Sequence, residues 1–465
     1  MNQKEMIRDI ALRVHALGGR ALLVGGCVRD ELLKILCYDI DCEIHGIEPE
    51  KLKDLLSQFG EIDESGSSYG IYTIRGAGLD IALPRKETRT GSGHKDFAVS
   101  VDPFLSPEEA AARRDFTVNA IMRDALTGEY VDPFGGMEDL KNGILRAVPG
   151  GQFEEDPLRV LRGAQFAARF HLTPDEKTIE TMRRMPVDHL SAGRVHLEMK
   201  KALLMADKPS VFFRILEKAN ALDCWFPELK ALRDTPQNPF YHPEGDAFEH
   251  TMMMLDSAAE IRNQMDDPFS FMLAALCHDL GKANTTKKNE KGAWASIGHE
   301  KTSVPLCTDL LSRLKISKGV IAYVRNMCAL HTRVHTCYYG KARVSRMNVM
   351  FDESVNPEEL AWLVVCDTRG TGKPRSYADE EEAFIFDRLA AYQAVLAEGM
   401  PTAGMMMEMG VQTGPDMKKA LDYARKQRLL GKTMEEACRE AAKALSGAAR
   451  QLPLKGELDG KASND

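Results

Sequence analysis

The spacing of apolar residues along this chain changes period part-way. Residues 3–17 repeat with the period of an amphipathic helix. From 20 to 84, apolar runs of strand length alternate with helical runs, which predicts an α/β domain. Within it, "ALLVGGCVRDELLKI" (21–35) predicts a strand, a Gly25-Gly26 turn and a helix with Arg29 and Asp30 in its first turns. "CYDIDCEIHG" (37–46) and "AGLDIALPRKE" (77–87) predict two further strands. Residues 85–105 are polar, with Gly91 and Gly93, and predict a long loop. Ser106, Pro107 and Glu109 then form an N-cap, first-turn proline and capping box. The helix they open is predicted to carry Arg113, Arg114, Asp115 and Asn119. Residues 125–136 predict a hairpin and turn.

From 153 onward the period is almost wholly helical. Gln237-Asn238-Pro239 looks like a linker, 246–393 a second helical block, and 401–449 a helical tail. The final stretch, 451–465, is polar and is expected to be disordered. No internal repeat is visible. The expected domains are 1–150, 151–236, 237–393 and 394–465.

Composition adds bounds. The 465 residues suffice for several cores, and 44% hydrophobic with 28% charged residues is ordinary for a globular protein. The amino-terminal stretch is charged and amphipathic, unlike a signal peptide, and no run reaches the ~18 apolar residues of a membrane span. Ten cysteines without a CxxC pair point to reduced thiols and a cytoplasmic setting. The net charge of -8 argues against a uniformly basic nucleic-acid surface. Local basic stretches exist at 183–201 and 340–347.

The candidate chemistry begins at Asp39 and Asp41. Residues two apart on a strand face the same side, so two carboxylates share one patch and raise each other's pKa. On its own such a pair is commonly a solvated strand end. Here a glycine turn opening a helix, at Gly25 and Gly26, offers N–H groups to an anion, and Arg29 adds a charge suited to phosphate. Asp80 supplies a third carboxylate from another strand. Phosphate cradle plus paired acids is the arrangement that phosphoryl transfer with a divalent metal requires.

"EEDPLRVLRGAQFAARF" (154–170) places Asp156, Arg159 and Arg162 on one side of a helix, and Val160, Leu161, Ala164 and Ala168 on the other. An Asp and an Arg three apart on a helix are commonly an exposed ion pair, but Asp156 and Arg159 also match a base edge. Cytosine and adenine each present an amino donor beside a ring-nitrogen acceptor, and a carboxylate beside a guanidinium complements that edge. Guanine and uracil would leave both groups mispaired.

The order GGCVRD, DID, RRDFTVNA, EDPLR resembles the bacterial tRNA nucleotidyltransferases that build CCA ends, a class shared with bacterial poly(A) polymerases. The resemblance implies an α/β polymerase-beta-like nucleotidyltransferase domain followed by all-α domains. It implies template-independent addition of C, C and A to tRNA from CTP and ATP. It further implies Mg²⁺ on Asp39 and Asp41, with Asp80 activating the 3′ hydroxyl. Gly25, Gly26, Arg29, Arg114, Asp156, Arg159 and Arg162 are the implied nucleotide contacts. One departure stands at Gly193, where relatives usually carry a glutamate before the arginine that is Arg194 here.

Six of twelve histidines lie between 242 and 335. "FEHTMMM", "ALCHDLGKA", "IGHEK", "ALHTRVH" and "VVCDTRG" bring His250, His278-Asp279, His299, His331, His335 and Asp367. This order resembles an HD phosphohydrolase domain, which implies a metal on His250, His278, Asp279 and Asp367. Imidazole with carboxylate suits Mg²⁺, Mn²⁺ or Ni²⁺. A partial enzyme adding only CC or A, a poly(A) polymerase, and an RNA-binding protein with an idle nucleotidyl site remain open alternatives on sequence alone.

Overall fold

A computed structural model describes residues 2–37, 40–63, 65–66, 69–77, 79–89, 97–150 and 152–449. The expected disordered tail, 451–465, lies outside them, as does Asp39. The chain forms two compact units, residues 1–233 with 309–317, and residues 234–308 with 318–465.

The first unit starts with α1 (Gln3–Ala16), closed by an Asn2–Glu5 capping box. There follow β1 (Arg20–Val24), α2 (Gly26–Leu32), β2 (Asp41–His45), α3 (Pro49–Leu56), β3 (Ile62–Asp63), β4 (Ile71–Ile74) and β5 (Leu79–Ala82). Next come β6 (Arg85–Arg89), β7 (Phe97–Val101), α4 (Pro107–Ala112), β8 (Met122–Asp124) and β9 (Tyr130–Val131). Seven strands make one sheet in the order β3-β4-β5-β2-β1-β8-β9. Within it β2 and β5 run parallel while the other pairs are antiparallel. Strand β1 has apolar side chains on both faces, which lets it sit near the middle. Ala21 joins Ile10, Val14, Leu52 and Leu56 from α1 and α3 in one core. Leu22 and Val24 join Ala111, Ala120 and Met122 in another.

Two expectations are corrected. The long loop over 85–105 is instead an antiparallel pair, β6 with β7, in register from Arg85↔Val101 to Arg89↔Phe97. The polar residues before 97 masked the β-prone "FAVSV" that follows, and the segment 90–96 lies outside the described residues. The helix opened by Ser106 ends at Ala112, so Arg113–Asn119 lie beyond it in a turn and a 3₁₀ segment, Thr117–Asn119. The Asp115 carboxylate accepts from the Phe116 N–H (2.8 Å) and the Asn119 amide (2.9 Å), offering the backbone an alternative to further helix.

After the short α5 (Gly136–Lys141), the first unit is helical: α6 (Leu158–Phe170), α7 (Glu176–Arg184), α8 (Ala192–Met205), α9 (Ser210–Lys218), α10 (Leu222–Trp225) and α11 (Pro227–Lys230). Val160, Leu161, Ala164 and Ala168 of α6 are buried, as their spacing predicts. Phe116 is fully buried and meets Phe153 and Phe166 edge-on at 5.2 and 5.8 Å, which fastens the turn after α4 to α6.

The second unit contains α12 (Ala247–Ile261), α13 (Pro268–Cys277), α14 (Lys282–Thr285), most of α15 (His299–Arg313), α16 (Lys318–Tyr339), α17 (Val344–Asp352), α18 (Pro357–Arg369) and α19 (Ser376–Ala397). It ends in α20 (Ala403–Glu408), α21 (Pro415–Leu429) and α22 (Met434–Ala449), which share a small core around Met406, Met417 and Cys438. Helix α13 is apolar all round and buried along its length, as a central helix must be. Among the described residues, no helix is long and apolar enough to cross a membrane. All ten cysteines are free thiols, and Cys224 alone is exposed.

Phe116→Ala removes an aromatic side chain with no exposed surface, and is expected to cost ~3–5 kcal/mol of stability. Chemical denaturation followed by circular dichroism checks it, and a loss under ~1 kcal/mol would contradict the packing described.

Candidate active sites

In the first unit, the parallel pairing of β2 with β5 sets Asp41 directly against Asp80. Residues so paired carry their Cβ atoms ~5 Å apart, which brings the two carboxylates within reach of one cation. Asp80 Oδ1 accepts a bond from Thr73 Oγ1 at 2.6 Å, which orients it from β4. Gly25 precedes α2 with φ +71°, a conformation that favours glycine, and an added Cβ there would stand 3.0 Å from Arg114 Nη1 and 3.8 Å from Asp41 Oδ2. The glycine turn, Arg114 and Asp41 therefore line one small space. Hard carboxylate oxygens beside it fit Mg²⁺.

Behind that space sits Glu43, two residues along β2 and 1% exposed. Its Oε2 is 3.2 Å from Arg113 and 3.9 Å from Arg114, and its Oε1 is 3.0 Å from His45 Nε2. Burial alone would raise its pKa. The His45 hydrogen bond and the Arg114 and Arg113 charges more than offset that and hold it down at about 2. This buried anion anchors both arginines, and the sequence reading missed it. The signal was present: Asp41, Glu43 and His45 keep the two-residue spacing that puts all three on one side.

The remaining sequence-selected residues divide by partner. Arg29 is buried rather than open to a ligand: its guanidinium bonds Asn119 Oδ1 (2.5 Å) and Asp30 Oδ1 and stacks 4.1 Å over Phe170. Arg162 pairs with Asp115 Oδ2 at 2.7 Å. Burial opposes its charge, but the Asp115 carboxylate outweighs burial and its pKa moves up. Asp156 and Arg159 form no ion pair with each other. Asp156 Oδ2 is held by Arg194 at 2.9 Å, and its Oδ1 accepts from the Leu158 N–H at the start of α6. Arg159 donates to the carbonyls of Gln152 (2.6 Å) and Arg113 (2.7 Å). Both side chains are thus fixed by third parties. Arg194, which follows Gly193 in the first turn of α8, makes this contact.

The second unit gathers the histidines. His250, His278 and Asp279 offer ligand atoms within 4.8 Å of one another, and Asp279, His299 and His331 do likewise. Asp367 Oδ1 lies 2.8 Å from His250 Nε2, and its Oδ2 lies 2.9 Å from His335 Nε2. Five imidazoles share one polarity. Nδ1 faces Glu244 Oε1 in His250, Ala275 O in His278, Ser296 O in His299, Cys328 O in His331 and Glu381 Oε1 in His335, at 2.7–2.9 Å. An acceptor at Nδ1 fixes the proton there and turns the Nε2 lone pair inward, which is how metal-binding imidazoles are oriented. His250 Nε2, His278 Nε2 and Asp279 Oδ2 are buried and crowd together, Asp279 Oδ2 lying 3.0 Å from His278 Nε2 and 3.5 Å from His250 Nε2, so these donor atoms fit a bound cation. Burial, with neighbouring His278 and His299 charge, lowers the His331 pKa to about 4 despite Asp279, which keeps it neutral.

The sequence-selected His250, His278, Asp279 and Asp367 therefore converge. His299 and His331 join them at Asp279, and His335 at Asp367. Sequence reasoning passed over Lys282, whose Nζ sits 2.6 Å from Asp279, and the orienting carboxylates Glu244 and Glu381. Lys282 was legible as the residue closing "HDLGK"; Glu244 and Glu381 carried no such cue.

Paired strand carboxylates beside a glycine turn, followed by a helical histidine–aspartate centre, define a nucleotidyltransferase of the poly(A) polymerase type joined to an HD domain. Family models agree in order: the poly A polymerase head domain matches residues 21–146, the probable RNA and SrmB-binding site of polymerase A 171–232, and the HD domain 247–365. The multifunctional CCA protein of Pasteurella multocida is 38% identical over 75% of this chain and 83% of its own length. That of Actinobacillus pleuropneumoniae serotype 5b is 34% identical over 83% and 95%. The fold also matches the Bacillus stearothermophilus CCA-adding enzyme solved in complex with CTP, with a TM-score of 0.62, 22% identity, and 97% and 99% of the two chains covered. The chain belongs to the multifunctional CCA protein family.

Glu43 gives a pH prediction. Its folded pKa lies below the ordinary 4.5, so the stability it contributes is complete above pH 4.5 and is lost as pH falls toward 2. Wild type is expected to exceed Glu43→Gln in stability by roughly 3 kcal/mol at pH 7, with the gap closing between those limits. Urea titrations across pH 2–7 check this; a gap independent of pH would contradict the anchoring charge.

Proposed function

We propose that this enzyme adds C, C and A to the 3′ end of tRNA without a template, using CTP and ATP. The observation that supports this most is the Asp41–Asp80 register beside Gly25 and Arg114, with Arg159 bonded to the neighbouring Arg113 carbonyl. Asp39 and Asp41 would hold Mg²⁺, which would supply charge neutralisation at the triphosphate. The Gly25-Gly26 turn and Arg114 bind the phosphates. Asp80, oriented by Thr73, accepts the proton of the tRNA 3′ hydroxyl as that oxygen bonds to the α-phosphorus and pyrophosphate leaves. Asp156 and Arg159 read the edge shared by cytosine and adenine. Arg29 and Arg162 act through Asn119 and Asp115, keeping the nucleotide pocket in shape. By this reading residues 1–150 form the catalytic domain and 151–236 the nucleotide- and RNA-binding helices. Residues 237–393 then form the phosphohydrolase, and 394–465 a helical tail. A tRNA substrate implies a cytoplasmic enzyme.

The HD centre, by the same reading, is a separate phosphohydrolase. A cation such as Mn²⁺ or Ni²⁺ on His250, His278, Asp279 and Asp367 would polarise a phosphate ester and a water there. Lys282 adds positive charge beside Asp279.

Asp41→Ala is expected to abolish incorporation of CTP and ATP while tRNA binding persists, as measured by single-turnover extension of tRNAs ending before C, CC and CCA. Asp156→Ala is expected to retain chemistry but admit UTP and GTP, with discrimination falling roughly ten- to a hundred-fold by analogy with base-edge readout. Equal loss with all four nucleotides would make Asp156 purely structural. Extension that stopped at CC, or continued past CCA, would favour a partial enzyme or a poly(A) polymerase.

His278→Ala should remove metal-dependent hydrolysis of 2′,3′-cyclic phosphates and leave CCA addition intact. Parallel assays with Mg²⁺, Mn²⁺ and Ni²⁺ test it; unchanged hydrolysis in the variant would place that activity elsewhere.

A further inference from the structure

The nucleotidyl site brings together two kinds of charge that must be kept apart. Asp41 and Asp80 converge on one space, and Arg114 borders it. A Cβ added at Gly25 would stand 3.0 Å from Arg114 Nη1 and 3.8 Å from Asp41 Oδ2, so only a few ångströms separate guanidinium from carboxylate. A guanidinium that closed this gap would pair with the carboxylate in place of a metal ion. The group that holds it back lies two residues further along β2, ~7 Å away on the same face. Glu43 Oε2 takes Arg113 Nη2 at 3.2 Å and Arg114 Nη2 at 3.9 Å, while its Oε1 takes His45 Nε2 at 3.0 Å. His45 is fixed in turn, its Nδ1 lying 3.0 Å from the Leu105 carbonyl oxygen. Arg114 has a second tether in the Asn119 carbonyl, 3.4 Å from Nη1. Both arginine side chains are mostly buried, so solvent screens their pull only weakly.

We propose that Glu43 is a positioning residue for nucleotidyl transfer, one that keeps Arg113 and Arg114 off the Asp39–Asp41 metal site. This rests on the reading of that pair as the Mg²⁺ ligands. Glu43 acts through the arginines and not on the reacting atoms. With it in place, Arg114 stays at the rim of the space, where a triphosphate meets it, and the carboxylates stay open to a cation. Without its charge, the next acid on this face of β2 is Asp41, and an arginine side chain is long enough to reach it. The loss then falls on metal affinity, and a higher metal concentration reverses it. A Glu43 that served packing alone would produce neither effect.

The test is Mn²⁺ binding to the full-length protein without tRNA, followed by the paramagnetic resonance signal of the free ion. His278→Ala is present throughout to weaken the histidine centre, and Asp41→Ala marks the binding that belongs to the nucleotidyl site. Glu43→Gln is expected to weaken that binding roughly ten-fold, the scale of losing an outer partner of a metal site. Glu43→Asp, which keeps the charge, is expected to bind more tightly than Glu43→Gln. Glu43→Gln/Arg113→Gln, which also removes one freed guanidinium, is expected to recover most of the loss, as coupled neighbours do in a double-mutant cycle. In CTP incorporation, Glu43→Gln is expected to need more Mg²⁺ for its half-maximal rate and to approach the wild-type rate at saturating Mg²⁺. Circular dichroism identifies the folded variants. Unchanged Mn²⁺ affinity in folded Glu43→Gln, or a loss that Arg113→Gln does not relieve, would overturn the inference. If Glu43→Gln alone does not fold, the double variant replaces it, and the full loss persisting there overturns the inference equally. Mn²⁺ binding left intact by Asp41→Ala would overturn the metal reading itself, and this inference with it.

Discussion

Acidic groups that converge in a fold repel one another, and each of the two sites here depends on how that repulsion is offset. In the sheet, the parallel pairing of β2 and β5 forces Asp41 and Asp80 together. Immediately behind them a third acid, Glu43, is buried with Arg113, Arg114 and His45 around it. The cations are thus drawn to a buried carboxylate further along the same face of the strand. The Asp41–Asp80 end keeps an excess of negative charge suited to a metal, and Arg114 remains close to the glycine turn. Without Glu43 the same arginines would be free to neutralise Asp41 directly.

The histidine centre meets the same constraint differently. Asp279 and Asp367 are buried, and burial alone would protonate them; neighbouring imidazoles, with Lys282 beside Asp279, instead hold both carboxyls well below the usual carboxylate range. What gives the centre its direction is the outer row of acceptors, main-chain carbonyls and the carboxylates Glu244 and Glu381, which fix the imidazole protons away from the middle. Gly281 completes it: a Cβ there would meet the His299 carbonyl oxygen at 2.2 Å, so the turn after the histidine–aspartate pair packs directly against the start of α15.

Much of this was legible in the sequence, for identifiable reasons. Periodicity located the core of α6 because Val160, Leu161, Ala164 and Ala168 face one way, and the Ser106 capping box was read from three residues. Motif order located both centres. What was illegible depends on long-range pairing. Nothing local tells that Asp80 aligns with Asp41, that Arg194 rather than Arg159 pairs with Asp156, or that Arg29 points into aromatic rings. The helix over Arg113–Asn119 was misread because Asp115 gives its own backbone a competing bond, a choice that propensity does not reveal. The strands β6 and β7 were missed because charge was read as loop.

The hydrogen bond from Arg159 to the carbonyl of Arg113 has a consequence for changing the alphabet of this enzyme. Arg113 precedes Arg114, so under the proposed roles the group that inspects the base is tied by this bond to the short span of main chain that carries the group gripping the triphosphate. An engineer who replaced Arg159 to admit a different base would also release that span and let the phosphate grip drift. Fidelity and speed are therefore a single mechanical property here, and a recoded variant would need a new brace for the Arg113 carbonyl before it could regain its pace.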